Sequence, residues 1–423
     1  MKNSSIRLAL YLNYFVFAIL LNSVGIIVLK AQKQYGVDEM AAATLEPFKD
    51  FSIAIVSFLI ASFLPRIGYK RSMMIGLGMV SAACLVMYFG NSFWAARILF
   101  AAVGAAFALI KVSVYSVIGL VTIDTAEHNR LMSSIEGVFM FGVALGYFIF
   151  PFFNSETDPN AWLNTYLLLG GMSVVALIVL ASARFEETAR PPGANLGEDF
   201  AAMLGLILRR LVVVFLAAAF LFVMIEQGIM TWLPTFNDRV LNYSPTLAEA
   251  SKESISIMLA SILAISLGLG RLIAGWLSGR FSWFTILSVF VLAAAAMVLF
   301  VLPLVVSIQT DPITGVSSLP WTAYAFPMVG FFIGPIYPLI NSVILSNLPK
   351  RLHSPMSGLI IVFSALGGTF GSMLNGYLFK TMGAQTAFSF TIVPMALLLL
   401  ALYFLWRWTR HREAIPEADV DRG

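Results

Sequence analysis

Charge is scarce in this sequence. Of 423 residues only 11% are Asp, Glu, Lys or Arg, while 59% are hydrophobic, and the mean hydropathy is +0.88. A soluble domain averages about 25% charged residues. With so few charges no soluble fold covers this much apolar surface, so the chain reads as an integral membrane protein. Cysteine is scarcer still. The single Cys84 excludes an intrachain disulfide and a cysteine metal cluster, and it sits in an apolar run as a packing residue. The histidines His128, His353 and His411 fall outside the apolar runs and show no metal-ligand spacing. No Gly-rich loop with a following Lys-Ser/Thr is present, so no ATP drive is expected. Long loops for a soluble catalytic domain are also missing. No enzyme, no cofactor and no metal is expected. The net charge of +4 points to basic loops beside a membrane, not to nucleic acid.

The apolar residues come in long runs such as Leu211–Ile225 and Met395–Trp406, which barrels with alternating patterns do not show. The spans are therefore helices. At about 20 residues per crossing, twelve are expected near 6–29, 43–65, 72–90, 94–121, 132–153, 162–183, 210–235, 254–278, 282–305, 321–346, 355–379 and 385–408. The first follows Lys2 and Arg7. It is longer than a signal h-region and lacks a cleavage site, so it reads as a retained span. An even number puts both termini on one side. The loops on that side hold most of the Lys and Arg, which predicts cytoplasmic termini and a cytoplasmic (inner) membrane location. The stretch "RFEETARPPGANLGEDF" (Arg184–Phe200) mixes charge, proline and glycine between the sixth and seventh spans. The expected division is a bundle at 1–183, a cytoplasmic linker at 184–209, a second bundle at 210–408 and a tail at 409–423.

The two halves echo each other. "NRLMSSIEG" (Asn129–Gly137) opens the fifth span and "KRLHSPMSG" (Lys350–Gly358) the eleventh; upstream, "YSVI" (Tyr115–Ile118) matches "NSVI" (Asn341–Ile344). Six-helix halves in parallel repeat are a transporter pattern.

On these residues the chain resembles the major facilitator superfamily over essentially its whole length. "LPRIGYKR" (Leu64–Arg71) is similar to that family's signature after the second span, with Pro65 in the place of its Asp. "GLGRLIAGWLSGR" (Gly268–Arg280) is similar to the second-half signature, with Gly279 in the place of its acid. "GYKRSMMIGL", "EQGIMTWLPTF" (Glu226–Phe236), "GPIYPLINSVILSNL" (Gly334–Leu348) and "SALGGTFGSMLNGYL" (Ser364–Leu378) most resemble the fucose–proton symporter branch. That resemblance implies an all-α fold of two six-helix bundles, a central cavity between spans one, two, four and five and spans seven, eight, ten and eleven, and a sugar-like solute moved with a proton by alternating access. The branch's first-span Asp and fourth-span Glu have no counterpart near Ser23 or at Ala108–Lys111.

Ionisable groups inside the bilayer are costly and persist where they face a cavity or a partner. Glu46 and Asp50 share a helix face in "TLEPFKDFS", with Lys49 beside both. They form either a proton or solute site at the cavity mouth, or a gate pair between the halves. Lys49 is expected to pair. Lys111 lies more than two turns from either end of its span and needs an anionic partner: Glu136, Glu46, Asp50 or an anionic solute. Glu136 is either a solute contact or a solvated helix-end acid. Glu226 is a candidate proton carrier, and Pro234 beyond it is expected to unwind the seventh span. Proton coupling is thus assigned to Glu46, Asp50, Glu226 and Glu136. Solute binding is assigned to Lys111, Asn22, Tyr115, Gln227, Trp232, Tyr337 and Asn341. The repeat pairs Lys111 with Tyr337 and Tyr115 with Asn341. Arg66, Lys70, Arg71, Arg271 and Arg280, in or near the signature loops, are expected to brace helix ends. Glycines such as Gly142, Gly146, Gly367, Gly368 and Gly371 allow close helix crossing. A small-molecule solute and the lipid bilayer are the expected partners, and a monomer suffices. An organic-anion or metabolite efflux carrier and a non-transporting sensor or scaffold remain as alternatives.

Overall fold

The computed structural model describes residues 4–122, 125–183, 205–207, 209–307, 311–346, 348 and 353–410. The expected linker and tail lie almost wholly outside the described residues, and so does the Arg66 side chain. Among the described residues there is no β-strand, and eleven helices are long and apolar enough to cross a membrane.

The first span bends at Ser23 between α1 (Ser4–Asn22) and α2 (Val24–Tyr35). The Ser23 hydroxyl donates to the Leu20 carbonyl at 2.8 Å. Gly36, at φ 61°, ends α2 in the left-handed conformation that glycine tolerates. Asp38 then caps the short α3 (Glu39–Ala43) by accepting from the Ala41 N–H. The second span, α4 (Leu45–Ile67), starts with its charges in the first two turns. The helices α5 (Tyr69–Gly90), α6 (Phe93–Val121), α7 (Thr125–Phe152) and α8 (Asn164–Ser182) complete the first half.

The second half begins with α9 (Arg210–Val240) and α10 (Glu249–Leu277). The ninth span runs from α11 (Trp283–Ala296) through a π-helical turn at Met297–Val301 into α12 (Leu302–Ser307). Pro303 has no N–H to offer the ladder, and the π turn absorbs the mismatch. The tenth span is broken into α13 (Trp321–Ala325), a 3₁₀ turn, α14 (Val329–Ile333) and α15 (Ile336–Ser346). Pro327 and Pro335 stand at the two interruptions. Then α16 (His353–Met382), α17 (Ala384–Ser389) and α18 (Ile392–Arg410) follow.

The expected unwinding at Pro234 does not occur: α9 continues through it. Proline removes the bond to the carbonyl four residues back, which is Met230. That carbonyl lies against Gly25 of α2, where a Cβ would meet it at 2.9 Å and the Thr231 carbonyl at 2.7 Å. Close packing of α2 on α9 shelters the freed carbonyl, so no unwinding is needed.

The halves meet at α2–α9, α4–α16 and α7–α10. In span numbers these are one with seven, two with eleven and five with eight. Exchanging the halves turns the second contact into the third and leaves the first unchanged, as a parallel repeat requires. Gly104 and Gly330 stand as far apart in sequence as Lys111 and Tyr337. Each lets a backbone approach: Gly104 the Lys49 carbonyl on α4, Gly330 the Leu263 carbonyl on α10, where a Cβ would stand 2.5 Å away. The outer surface carries large exposed apolar side chains, including Phe89, Phe152 and Leu272, which suits contact with lipid.

Candidate functional site

A cavity of about 710 Å³ lies between the halves. Its walls come from the first, second, fourth and fifth spans on one side and the seventh, eighth, tenth and eleventh on the other.

Three acids reach it. Asp50, one turn after Glu46 on α4, lies 3.5 Å from Lys49. Its Oδ2 stands only 2.6 Å from where a Cβ of Gly368 on α16 would be, so the absence of that side chain lets the carboxylate lie across the boundary between halves. Glu136 on α7 accepts a 2.7 Å hydrogen bond from the Tyr115 hydroxyl on α6. Glu226 on α9 receives the Arg271 guanidinium at 3.2 Å. Arg271 also donates through Nε to the Gly334 carbonyl at 3.2 Å, at the break in the tenth span. Lys111 lines the same cavity from α6, its Nζ 5.7 Å from the centre of the Phe107 ring. Asn22, Gln227, Tyr337 and Asn341 complete the polar lining. Asn341 Oδ1 and Ser364 Oγ are buried atoms without a hydrogen-bond partner, so both can bond a solute. The repeat pairs, Lys111 with Tyr337 and Tyr115 with Asn341, all line this cavity.

The cavity stops at the level of Asn22, Asp50 and Met230. Beyond lies a plug. Glu46 is fully buried, accepts from Lys49, and accepts a 3.1 Å bond from Thr231 Oγ1 on α9. Leu45, Ala42, Ala43, Leu233 and Phe236 pack around it with no exposure above 1%. Past the plug, at the end of the bundle remote from the termini, ion pairs join the halves. Lys30 meets Glu253 at 2.5 Å, Lys33 meets Asp238 at 2.5 Å, Arg239 meets Glu39 at 2.6 Å and Lys380 meets Asp38 at 2.7 Å. Outside the spans, the hydrogen bond from Lys380, and then that from the Ala41 N–H, hold the Asp38 carboxyl below its ordinary range.

The structure thus relocates several sequence assignments. Glu46 is in the plug, not the cavity wall. Trp232 is fully buried, donates through Nε1 to the Ser372 carbonyl at 2.9 Å and packs on Phe379. It is not a cavity residue. At 100° per residue, Val223, Glu226, Gln227 and Met230 form one stripe and Trp232 falls outside it. Arg271, expected to brace helix ends, lines the cavity instead. Lys70 does hold a helix end: Nζ donates to the Ala181 and Ala183 carbonyls at 2.8 and 2.7 Å. Arg71 is exposed, and Arg280 stacks 3.8 Å from the centre of the Trp276 ring. Tyr14, Ser57 and Ser364 line the cavity and were not read from the sequence. Counting back two turns from Asn22 along α1 reaches Tyr14.

Two helical halves around a polar cavity inside an apolar shell define a membrane transporter rather than an enzyme. The chain belongs to the Major Facilitator Superfamily, whose family model matches residues 10–372. Among solved structures it is similar to the nucleoside transporter NupG, at 12% identity and TM-score 0.73, over 95% of this chain and 99% of that one. It is similar to the E. coli fucose:proton symporter FucP, at 13% identity and TM-score 0.61, over 96% and 99%. It is also similar to a D-xylose-proton symporter, at 14% identity and TM-score 0.67, over 99% of both chains. These likenesses are of fold. A stretch of 86 residues is 31% identical to the Saccharomyces cerevisiae "Bypass of stop codon protein 6". That match spans 20% of this chain and 16% of the yeast protein's length.

Proposed function

We propose that this chain is a secondary active transporter that moves a small, polar, sugar-like solute together with a proton by alternating access. The observation that carries this reading is the convergence of Asp50, Glu136 and Glu226 on one cavity between the halves. Carboxylates inside a bilayer bundle mark ion and proton paths. Two of the three also touch groups that a rocking motion would move. Asp50 lies against Gly368 of the opposite half, and Glu226 holds Arg271, which in turn holds the backbone at the break in the tenth span. A proton on either acid removes the charge that fixes the contact.

The sugar-like solute is supported by the resemblance to the fucose–proton symporter branch. It is also supported by a lining of amides, phenols and aromatic rings, which offers hydrogen bonds and apolar faces together. Cytoplasmic termini, from the loop charges, would make this state inward-open, with the ion-paired end toward the outside of a cytoplasmic membrane. The division at 1–183, 184–209, 210–408 and 409–423 fits the same reading.

The test is uptake into proteoliposomes under an imposed pH gradient, with a panel of labelled neutral sugars and sugar acids. Accumulation should need the gradient. Asp50→Asn and Glu226→Gln should abolish accumulation while leaving solute exchange without a gradient. Gradient-driven accumulation intact in both variants would refute the proton assignment.

A further inference from the structure

The charges around the cavity do not balance evenly. Asp50 has Lys49, Glu226 has Arg271, and Glu136 takes the Tyr115 hydroxyl. Lys111 has no acidic partner among the described residues; the Phe107 ring is its one close charge-relevant neighbour there. Within α6 it lies about 27 Å from Phe93 and about 15 Å from Val121, at ~1.5 Å per residue. Neither interface is within a lysine's reach. An ammonium at that depth is costly unless an anion answers it.

We propose that the transported solute carries a single carboxylate and that Lys111 binds it, so the solute class is the polyhydroxy monocarboxylates, the sugar acids. The inference rests on the transporter reading above and sharpens its substrate. Repeat-equivalent residues face each other at one depth, so Tyr337 lies across the cavity from Lys111 and Asn341 across from Tyr115. The wall opposite the ammonium also offers Asn341 Oδ1 and Ser364 Oγ, both buried and free to bond. A carboxylate on one wall and hydroxyls on the other suit a solute with an acid at one end and a polyol body. A cavity of about 710 Å³ holds such a molecule with room for water. A dianion fits poorly. Lys111 is the one unpaired cation, and Glu136 stands one turn away through Tyr115, so a second negative charge would meet a carboxylate.

The experiment is thermal unfolding of the purified full chain at neutral pH with matched pairs of probes: D-gluconate and D-glucitol, D-glucuronate and D-glucose, D-galacturonate and D-galactose, with sodium chloride as the ionic control. At least one acid should raise the unfolding temperature saturably while its neutral partner does not. Lys111→Gln should weaken that acid's binding at least about tenfold, and Lys111→Arg should weaken it less. Without ligand, Lys111→Gln should unfold no earlier than the parent chain, because no ion pair is broken. Asn341→Ala, which leaves the charge in place, should weaken the acid and reduce discrimination between polyol isomers.

Equal binding of neutral and acid members, unchanged binding in Lys111→Gln, or no binding by any acid of the set would each overturn the inference. Gradient-driven uptake of a neutral sugar by Lys111→Gln would overturn it too, while leaving the transporter reading intact. Acid binding through Lys111 without any gradient-driven uptake would do the reverse.

Discussion

Thr231 on α9 donates a 3.1 Å hydrogen bond to Glu46 on α4, and so ties the two halves together directly above the cavity. The other Glu46 oxygen takes Lys49. A carboxylate with no exposed surface is thus satisfied from its own helix and from the opposite half. The plug holds only while all three groups stay in register.

Removing the cation should therefore be severe. Lys49→Met leaves Glu46 and Asp50 buried without their counter-ion, and the expected loss is roughly 3–5 kcal/mol. Adding Glu46→Gln to the same chain should restore part of it. Unfolding temperatures of the two variants in detergent check this. A double variant no more stable than the single one would show that charge balance is not the cause.

Glu226 and Arg271 should behave as one unit. Arg271→Gln leaves a carboxylate facing the cavity alone, and the double variant with Glu226→Gln removes both charges. A double-mutant cycle in unfolding free energy should give a coupling of about 1–3 kcal/mol. Additivity of the two single losses would mean that the 3.2 Å contact contributes nothing to stability.

Trp232 and Tyr337 should separate cleanly. Trp232→Phe loses the bond to the Ser372 carbonyl and should cost about 1–3 kcal/mol in stability with solute affinity unchanged. Tyr337→Phe should weaken solute binding with little effect on unfolding. The reverse pattern would return Trp232 to the binding site.

The remote end should respond to acid in a narrow window. The Asp38 carboxyl is held below its ordinary value by the Lys380 hydrogen bond and the Ala41 N–H. A depressed carboxyl stabilises the closed face above its ordinary value, about 3.9, and that contribution is lost as pH falls through the depressed one. Between pH 7 and 5 closure should not change; below about pH 4 it should loosen. A cysteine at Ala42 in a Cys84→Ser background reports this by its rate of thiol labelling. Asp38→Asn should remove the acid step.

The helical spans were legible because length and apolarity alone define a crossing, and the repeat was legible in two short motifs. The cavity residues found from sequence are those whose cost in a bilayer has no cheap explanation: Asp50, Lys111 and Glu226. What sequence hid was direction around each helix. Trp232 and Gln227 sit in one conspicuous motif, yet five residues of helical twist send them to different neighbours. Arg271 hid behind a signature whose usual role is at helix ends. The break at Ser23 and the continuity through Pro234 depend on what packs alongside, which in the second case is Gly25 of another span.

All the ion pairs that join the halves, among the described residues, stand at the remote end; none joins them at the end carrying the termini. The two aqueous compartments therefore act on the protein unequally. Exposed charges more than a Debye length apart, about 8 Å in physiological salt, are screened from one another, and added salt shortens that length further. Raising the ionic strength of one compartment eases the parting of these pairs, and raising it in the other leaves them untouched. A carrier built this way has a built-in sense of side, and the salt of its surroundings sets how readily it opens toward only one of them.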